Sequence, residues 1–250
     1  MKTPCADVSA RLLIPGLVLV LSAVMLGTEP PERRGASAVD KKTDSVDRDY
    51  RTQSPRTAAT RPLEAVAALV PRPGFRVEVV AAEPLVQDPV AMEFDENGRL
   101  FVCEMPEYNQ YANAGFRGKG RVRCLEDTDG NGVFDRSRIF ADGIDSPTSV
   151  ACWKGGVFVG SVPHILYLKD TDGDGTADVR RVVFTGFSRD KAGEAMLNSF
   201  RWGLDNRFHV STNLAGGTVR RAGEKADKGV SVRGRGFVFD PRSESFELSS

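Results

Sequence analysis

Two short acidic segments have the residue types and the spacing of a calcium-binding loop. They span residues 127–135 and 170–178, and each begins with Asp-Thr-Asp-Gly. Ca²⁺ prefers about six to eight oxygen ligands, which such loops supply from alternate positions around a glycine turn. The predicted ligands are the side chains of Asp127, Asp129, Asn131, Asp135, Asp170, Asp172, Asp174 and Asp178, and the peptide carbonyls of Val133 and Thr176.

These loops differ from an EF-hand in two respects. The last ligand position, a bidentate glutamate in an EF-hand, falls on Arg138 and Arg181, and the flanking residues have strand patterns instead of helical ones. We therefore predict two loops that each join a pair of strands and bind Ca²⁺ with a Kd of about 10⁻⁴–10⁻³ M. The ion would hold together carboxylates that otherwise repel each other. The alternative is a pair of hydrated acidic turns without an ion.

Repeated pairs of short strands are predicted to position the loops. Alternating apolar and polar residues predict strands over 90–94 and 99–104, joined by an Asn-Gly turn in which both residues tolerate positive φ. Similar pairs recur within 147–160 and 199–211. The second strands carry a phenylalanine at matching positions, namely Phe101, Phe158 and Phe208.

The first two pairs continue into a third strand, an acidic loop and a fourth strand. The third strands are predicted at 121–126 and 165–169, and the fourth at 136–141 and 179–185. Four strands in each unit of about 40–50 residues are the signature of a β-propeller blade. We therefore predict an all-β fold, a partial β-propeller of about three to four blades, over residues 74–250.

Two segments at the ends of this region also have strand patterns. Residues 75–80 are predicted as a first strand, and residues 237–240 and 246–249 as a hairpin that begins a fourth unit. A propeller must close to cover the edges of its sheets. The sequence is therefore expected to be a fragment of a longer protein, in preference to a half-propeller that pairs with another chain.

The N-terminal region predicts export. Residues 12–26 are almost entirely apolar and follow Lys2 and Arg11, as in a secretory signal, and they are fewer than the ~20 residues of a membrane span. We predict a signal peptide at 1–38, with an uncleaved N-terminal membrane anchor as the alternative. A flexible linker with at most a short helical turn follows at 39–73. The folded part is then expected in the periplasm or outside the cell.

Charge and cysteine content narrow the classes of function. The chain has 34 Lys and Arg against 34 Asp and Glu, so no global basic field favours nucleic acid. Cys103, Cys124 and Cys152 form no C-x-x-C motif. They predict either one disulfide with one free thiol, or three buried thiols.

A few other residues are candidates for ligand contacts. A histidine can serve as a general base, but a structural role is favoured for both His164 and His209, because the sequence names no partner for either. The long insertion at 106–120, with two tyrosines, is the predicted ligand-facing loop. Trp153 and Trp202 are predicted to pack between units instead of stacking on a ligand.

A series of short motifs resembles one bacterial family. The motifs are Gly74-Phe75-Arg76-Val77, Ala82-Glu83-Pro84, Phe94-Asp95 with Gly98-Arg99-Leu100, Glu104-Met105, the two acidic loops, Pro163 with Leu166-Tyr167-Leu168, Phe200-Arg201-Trp202-Gly203 and Arg233-Gly234-Arg235-Gly236-Phe237. In this order they resemble the membrane-bound dehydrogenase propeller domain of planctomycete- and verrucomicrobium-type bacteria. That family is similar to soluble quinoprotein glucose and sorbosone dehydrogenases, which are six-bladed, TolB-like propellers that use pyrroloquinoline quinone (PQQ) and calcium.

The resemblance implies a quinoprotein-like oxidoreductase acting on sugars or polyols, with calcium and PQQ as cofactors. It transfers no catalytic or PQQ-binding residue, because neither His164 nor His209 matches the quinoprotein base. It also implies further C-terminal blades and a cytochrome c module as partners. One alternative is a non-catalytic, calcium-stabilised propeller module that binds polysaccharide or protein. A propeller hydrolase of the lactonase type is another, and it would need a carboxylate-lined central metal site.

Overall fold

A computed structural model describes residues 58–106, 119–189, 196–212 and 216–249 of the 250-residue chain. The predicted signal peptide or anchor, residues 39–57 of the predicted linker and residues 107–118 of the predicted ligand-facing insertion lie outside these ranges. The described secondary structure belongs to one compact unit, Ala59–Ser250. Within the described residues, no helix has the length and apolar character needed to cross a membrane.

The described residues form an all-β fold, as predicted. They contain one short α-helix, α1 (Pro62–Ala67), which buries no residue, and one 3₁₀ turn, Ala226–Lys228. The strands are β1 (Pro89–Phe94), β2 (Leu100–Glu104), β3 (Gly120–Glu126), β4 (Arg136–Ile144), β5 (Pro147–Trp153), β6 (Gly156–Ser161), β7 (His164–Lys169), β8 (Val179–Phe187), β9 (Asn198–Trp202), β10 (Phe208–Ser211), β11 (Gly217–Arg221), β12 (Val230–Ser231), β13 (Gly236–Phe239) and β14 (Phe246–Ser249).

These strands form three antiparallel sheets. The first sheet has the order β1-β2-β3-β4, and the third has the order β14-β13-β10-β9. The second sheet contains β5 to β8 as a meander and is extended beyond β8 by β11 and β12. In each sheet, the strand that comes first along the chain is β1, β5 or β9. These strands lie side by side, β1 against β5 and β5 against β9.

Local turn chemistry accounts for the hairpins. In the turn after β1, Oδ1 of Asp95 accepts hydrogen bonds from the backbone N–H groups of Asn97 at 2.9 Å and Arg99 at 2.8 Å. Gly98 takes the positive φ of this turn, and the predicted hairpin is confirmed by the pairing of β1 with β2. The turn after β5 places Lys154 and Gly155 at positive φ, which matches the twist of the paired strands.

Apolar side chains fill the spaces between neighbouring sheets. One cluster joins the first and second sheets, and a larger one joins the second and third. Phe101, Phe158 and Phe208, the predicted matching phenylalanines, are all at most 4% exposed. Burying one such ring stabilises the fold by about 1.5–3 kcal/mol, so these contacts fix how the sheets stack.

The structure corrects two strand predictions and adds one hairpin. Residues 75–80 form no strand within the described part of the chain, and Phe75 is 73% exposed. The hairpin of β13 and β14 does not begin a fourth unit, because β13 pairs with β10 and completes the third sheet. The hairpin of β11 and β12, which the sequence analysis missed, pairs with the edge of β8.

The three described cysteines are free thiols, and two of them, Cys103 and Cys124, are buried as one of the two predicted alternatives requires. Cys103 and Cys124 are buried in the cluster between the first and second sheets, and Cys152 packs against it. Burial raises the pKa of the Cys124 thiol to about 11, and it also raises the pKa of Cys103. These thiols therefore act as small apolar groups of the core.

Candidate metal centre

The acidic loop at residues 170–178, called the Asp170 loop below, joins β7 to β8. Carboxylate oxygens of Asp170, Asp172 and Asp174 lie within 4.8 Å of one another, and Asp172 and Asp174 are exposed. Three oxygens at this spacing can contact one cation together, and a hard divalent ion such as Ca²⁺ suits carboxylate ligands. The structure thus brings together three of the predicted ligands.

Backbone hydrogen bonds hold this loop in shape. The N–H of Gly173 donates to Oδ1 of Asp170 at 2.7 Å, and the N–H of Gly175 donates to Oδ2 at 2.8 Å. These bonds, that from Gly175 foremost, lower the pKa of Asp170. Both glycines adopt positive φ, which a side chain would disfavour. The first ligand position is therefore ionised and oriented by the loop itself.

The loop at residues 127–135, called the Asp127 loop below, has the same hydrogen bonds. The N–H groups of Gly130 and Gly132 both donate to the carboxylate of Asp127 at 2.8 Å, and they lower its pKa. The fifth position differs, because Asn131 replaces an aspartate. Its Nδ2 donates to Oδ2 of Asp129 at 2.9 Å. One predicted ligand thus already satisfies another, and the loop presents fewer carboxylates to an ion.

The aspartates at the ninth positions close the loops by hydrogen bonding. Asp135 accepts from the backbone N–H of Thr128 at 3.1 Å and from its hydroxyl at 2.6 Å. Asp178 has the same two partners in Thr171, with the backbone bond at 2.7 Å. The threonine hydroxyls foremost lower the pKa of both carboxyls. Asp178 lies outside the group formed by the other three carboxylates, so its role as a ligand stays a prediction.

The predicted carbonyl ligands, Val133 and Thr176, each lie two residues after the fifth position of their loop. The N–H of Val133 donates to Oδ1 of Asn131 at 2.8 Å, and the N–H of Thr176 donates to Oδ1 of Asp174 at 2.7 Å. These bonds tighten the chain beside the carboxylates. Coordination of an ion by the two carbonyls stays a prediction.

Each loop is tied to a neighbouring segment by one backbone hydrogen bond at its eighth residue. The N–H of Ala177 donates to the carbonyl of Phe140 in β4 at 2.7 Å. The N–H of Phe134 donates to the carbonyl of Val80 at 2.9 Å. Arg138 adds a bond from Nη1 to the carbonyl of Asp174 at 3.1 Å, a contact that the sequence analysis missed.

The loop carboxylates form no salt bridge with any described Lys, Arg or His side chain. Their mutual repulsion is opposed by hydrogen bonds from N–H and hydroxyl groups, and in the Asp170 loop by the guanidinium of Arg138 at the carbonyl of Asp174. A bound dication would oppose it far more strongly. Chemically, the carboxylates of the loops are suited to hold a structural cation.

The two histidines occupy different environments. His209 lies in β10 with Nε2 3.1 Å from Oδ1 of Asp205, at an exposed position. His164 begins β7, where burial foremost lowers its pKa, and its buried Nδ1 has no hydrogen-bond partner among the described residues. The structural role favoured from the sequence for both histidines stays a prediction.

A buried charge cluster on the first sheet escaped the sequence analysis. Glu104 is fully buried, and its carboxylate accepts from Nε of Arg121 and of Arg123, the latter at 2.9 Å. The backbone N–H of Gln87 also donates to it, at 2.6 Å. The only available signal was the alternation of Arg121 and Arg123 in β3, opposite a glutamate at the end of β2.

The fold and the loops together define a class of protein. Its members are all-β, and two consecutive antiparallel sheets each carry an acidic loop between their third and fourth strands. Residues 61–250 match the model of a family described as a domain of unknown function, DUF7133, and the chain belongs to this family. No curated protein matches the sequence. Because the function of this family is unknown, membership assigns no activity to the chain.

Proposed function

We propose that the chain is part of an exported β-propeller, stabilised by Ca²⁺ at its acidic loops, that serves as a binding module for polysaccharide or protein. The observation that carries the calcium role is the convergence of Asp170, Asp172 and Asp174 within 4.8 Å. The near-identical hydrogen bonding of the Asp127 loop, at the same corner of the preceding sheet, supports it. The predicted export signal at 1–38 supports the location.

The propeller assignment is supported by how the sheets relate to their neighbours. The first strands β1, β5 and β9 lie side by side, as the innermost strands of successive blades would. Val80 accepts a bond from the Asp127 loop just as Phe140 accepts one from the Asp170 loop. Because Phe140 belongs to the outermost strand of the first sheet, residues 75–80 stand where the outermost strand of a preceding blade would lie.

Calcium titration of the whole chain tests this function. Isothermal titration calorimetry is expected to show binding with a Kd of about 10⁻⁴–10⁻³ M, and the melting temperature is expected to rise with Ca²⁺ and fall with chelator. The double variant Asp172→Asn with Asp174→Asn is the matched test. It should lose the tighter binding event while it keeps its circular dichroism spectrum. A melting temperature that ignores both Ca²⁺ and chelator would contradict the proposal.

The oxidoreductase function has support from the sequence resemblance alone. PQQ is a tricarboxylate, so a site for it needs several converging cations. Along the inner strands, the described residues bring together one arginine, Arg201, and one carboxylate, Glu93. These residues do not fit PQQ. Spectroscopic titration with PQQ and Ca²⁺, followed by dye-linked oxidation of glucose or sorbitol, tests this second proposal. It fails if the quinone does not bind.

A further inference from the structure

The Asp127 loop contains an asparagine that is followed directly by a glycine. Asn131 and Gly132 are both exposed. In such a pair the backbone nitrogen of the second residue can attack the side-chain amide of the first, because glycine carries no side chain to hinder the approach. The attack releases ammonia and ends in an acidic residue. The equivalent position of the Asp170 loop already carries an acidic residue, Asp174.

The side chain of Asn131 is folded over the peptide group that would attack it. Its Oδ1 accepts a hydrogen bond from the backbone N–H of Val133 at 2.8 Å. This bond closes an Asx turn, a ring that includes the peptide group between Asn131 and Gly132. The amide carbon is therefore held near the backbone nitrogen of Gly132. The same bond would stabilise the negative charge that develops on Oδ1 during the attack.

A carboxylate accepts the proton of the attacking nitrogen. The N–H of Gly132 donates to Oδ2 of Asp127 at 2.8 Å. This bond foremost lowers the pKa of Asp127, so the acceptor is ionised at neutral pH. A charge-assisted hydrogen bond of this kind raises the electron density on the nitrogen, and the carboxylate can receive the proton as the new bond forms.

A second Asn-Gly pair, in the turn after β1, has different surroundings. The N–H of Gly98 donates to the backbone carbonyl of Asp95 at 3.2 Å, and a neutral carbonyl accepts a proton far less readily than a carboxylate. No described residue donates a hydrogen bond to the side-chain carbonyl of Asn97. The chain thus contains the same dipeptide twice, and the fold surrounds only one copy with groups that assist the attack.

We propose that Asn131 is a site of spontaneous deamidation, which gives the Asp127 loop an aspartate at its fifth position. The nitrogen of Gly132 bonds to Cγ of Asn131, and its proton passes to Asp127. The side-chain nitrogen leaves as ammonia and takes up a proton through water, so that the proton lost by the backbone is returned. The product of this step is a cyclic imide, a succinimide, in the main chain.

Water then opens the succinimide in one of two ways. Cleavage between Cγ and the Gly132 nitrogen gives aspartate at position 131 with a normal main chain. Cleavage between that nitrogen and the main-chain carbonyl carbon gives isoaspartate, which lengthens the main chain by a methylene group and breaks the Asx turn.

Deamidation itself needs no bound ion, but its consequence for calcium rests on the function proposed above. With aspartate at position 131, the Asp127 loop has carboxylates at its first, third and fifth positions, as the Asp170 loop has. The amide bond from Nδ2 to Asp129 is lost at the same time. Deamidation would therefore convert the loop with fewer carboxylates into a copy of the other.

Peptide mass spectrometry follows both Asn-Gly pairs in one sample. Trypsin places Asn131 in peptide 124–136 and Asn97 in peptide 77–99, and each peptide contains a single asparagine. The whole chain is incubated at neutral pH with chelator, and deamidation is measured as a mass increase of about 1 Da. The rate at Asn131 is expected to exceed the rate at Asn97 by about tenfold or more. In urea the ratio of the two rates should fall toward one, because the contacts are lost.

A pair of variants tests the role of the proton acceptor. Asp127→Asn should slow deamidation at Asn131 by about tenfold and leave the rate at Asn97 unchanged. Asp227→Asn, in the exposed 3₁₀ turn, is the matched control and should change neither rate. Circular dichroism checks that both variants are folded, and the comparison of the parent chain with and without urea needs no variant.

Two results would overturn the inference. One is a rate at Asn131 that is no higher than the rate at Asn97 in the folded chain. The other is a ratio of the two rates that stays the same in urea, because the local sequence and not the fold would then set it. Both measurements are made without calcium, so deamidation and calcium binding are tested separately.

Discussion

The buried carboxylate of Glu104 and the exposed carboxylates of the Asp170 loop have different kinds of hydrogen-bond and ion-pair partners. Glu104 is buried on the first sheet and accepts from Arg121, Arg123 and the backbone of Gln87. The carboxylates of the Asp170 loop are largely exposed, and they form no ion pair with a described cation. Where the chain supplies the positive charge, the group holds the fold together. The carboxylates of the Asp170 loop have no ion-pair partner among the described residues, so they could bind a cation from solution.

The largest effect is expected from removing the buried carboxylate. Glu104→Ala leaves two arginines without their common partner, at 20% and 15% side-chain exposure. The free energy of unfolding should fall by about 3–5 kcal/mol, with or without Ca²⁺. Urea denaturation measures this loss. Glu104→Gln keeps the shape and should lose less. A change of less than about 1 kcal/mol in the alanine variant would show that the cluster is not needed for stability.

The next effect concerns the exposed group. Asp170→Ala removes the first ligand together with the acceptor of the Gly173 and Gly175 N–H groups. The calcium affinity of this loop should fall by more than about 100-fold, as measured by calorimetry. Asp227→Ala, in the exposed 3₁₀ turn, is the control and should bind calcium normally. Equal affinities in both variants would place calcium elsewhere.

A reciprocal exchange at the fifth position sharpens the comparison between the two loops. Asn131→Asp gives the Asp127 loop a carboxylate at its fifth position, as in the Asp170 loop, and removes the amide bond to Asp129. Its calcium affinity should rise about tenfold, because ligand charge sets affinity in such loops. Asp174→Asn should lower the affinity of the Asp170 loop by a similar factor. A change of calcium affinity in the same direction in both variants would contradict a role of ligand charge at the fifth position.

The smallest effect is expected from pH in the absence of calcium. Hydrogen bonds lower the pKa of Asp127, Asp135, Asp170 and Asp178. A carboxyl whose pKa is lowered on folding stabilises the fold above its unfolded pKa of about 4, and this contribution is lost as pH falls through the folded value.

In chelator, the melting temperature should therefore decrease as the pH falls below about 4. The double variant Asp135→Asn with Asp178→Asn should show a shallower decrease, because two of the loop carboxyls with a lowered pKa are gone. Differential scanning calorimetry at several pH values measures both curves. A parallel decrease in the two proteins would assign the acid sensitivity to other groups.

The sequence predicted features that depend on neighbours along the chain. Strands β1 to β10, their hairpin turns and the glycine bends of both acidic loops follow from local alternation and turn residues. Residues 75–80 have the same alternation, but a strand also requires a partner, and the described residues supply none. Pairing of β11 with β8 depends on a contact distant in sequence, which no local pattern encodes.

The candidate sites were predictable to different extents. The carboxylates of Asp170, Asp172 and Asp174 are spaced within one loop, so their convergence follows from the sequence. Arg138 reaches this loop from another sheet, so its contact with Asp174 does not follow from spacing along the chain. Glu104 was missed for a related reason, because the arginines that neutralise it come from a different strand.

The packing of Cys103 and Cys124 between the first and second sheets has a practical consequence. Their raised pKa values and their burial protect both thiols from alkylation while the sheets are in contact. A thiol-reactive reagent can therefore modify them only when these sheets separate. The rate of labelling therefore measures how fast the interface between the first and second sheets opens.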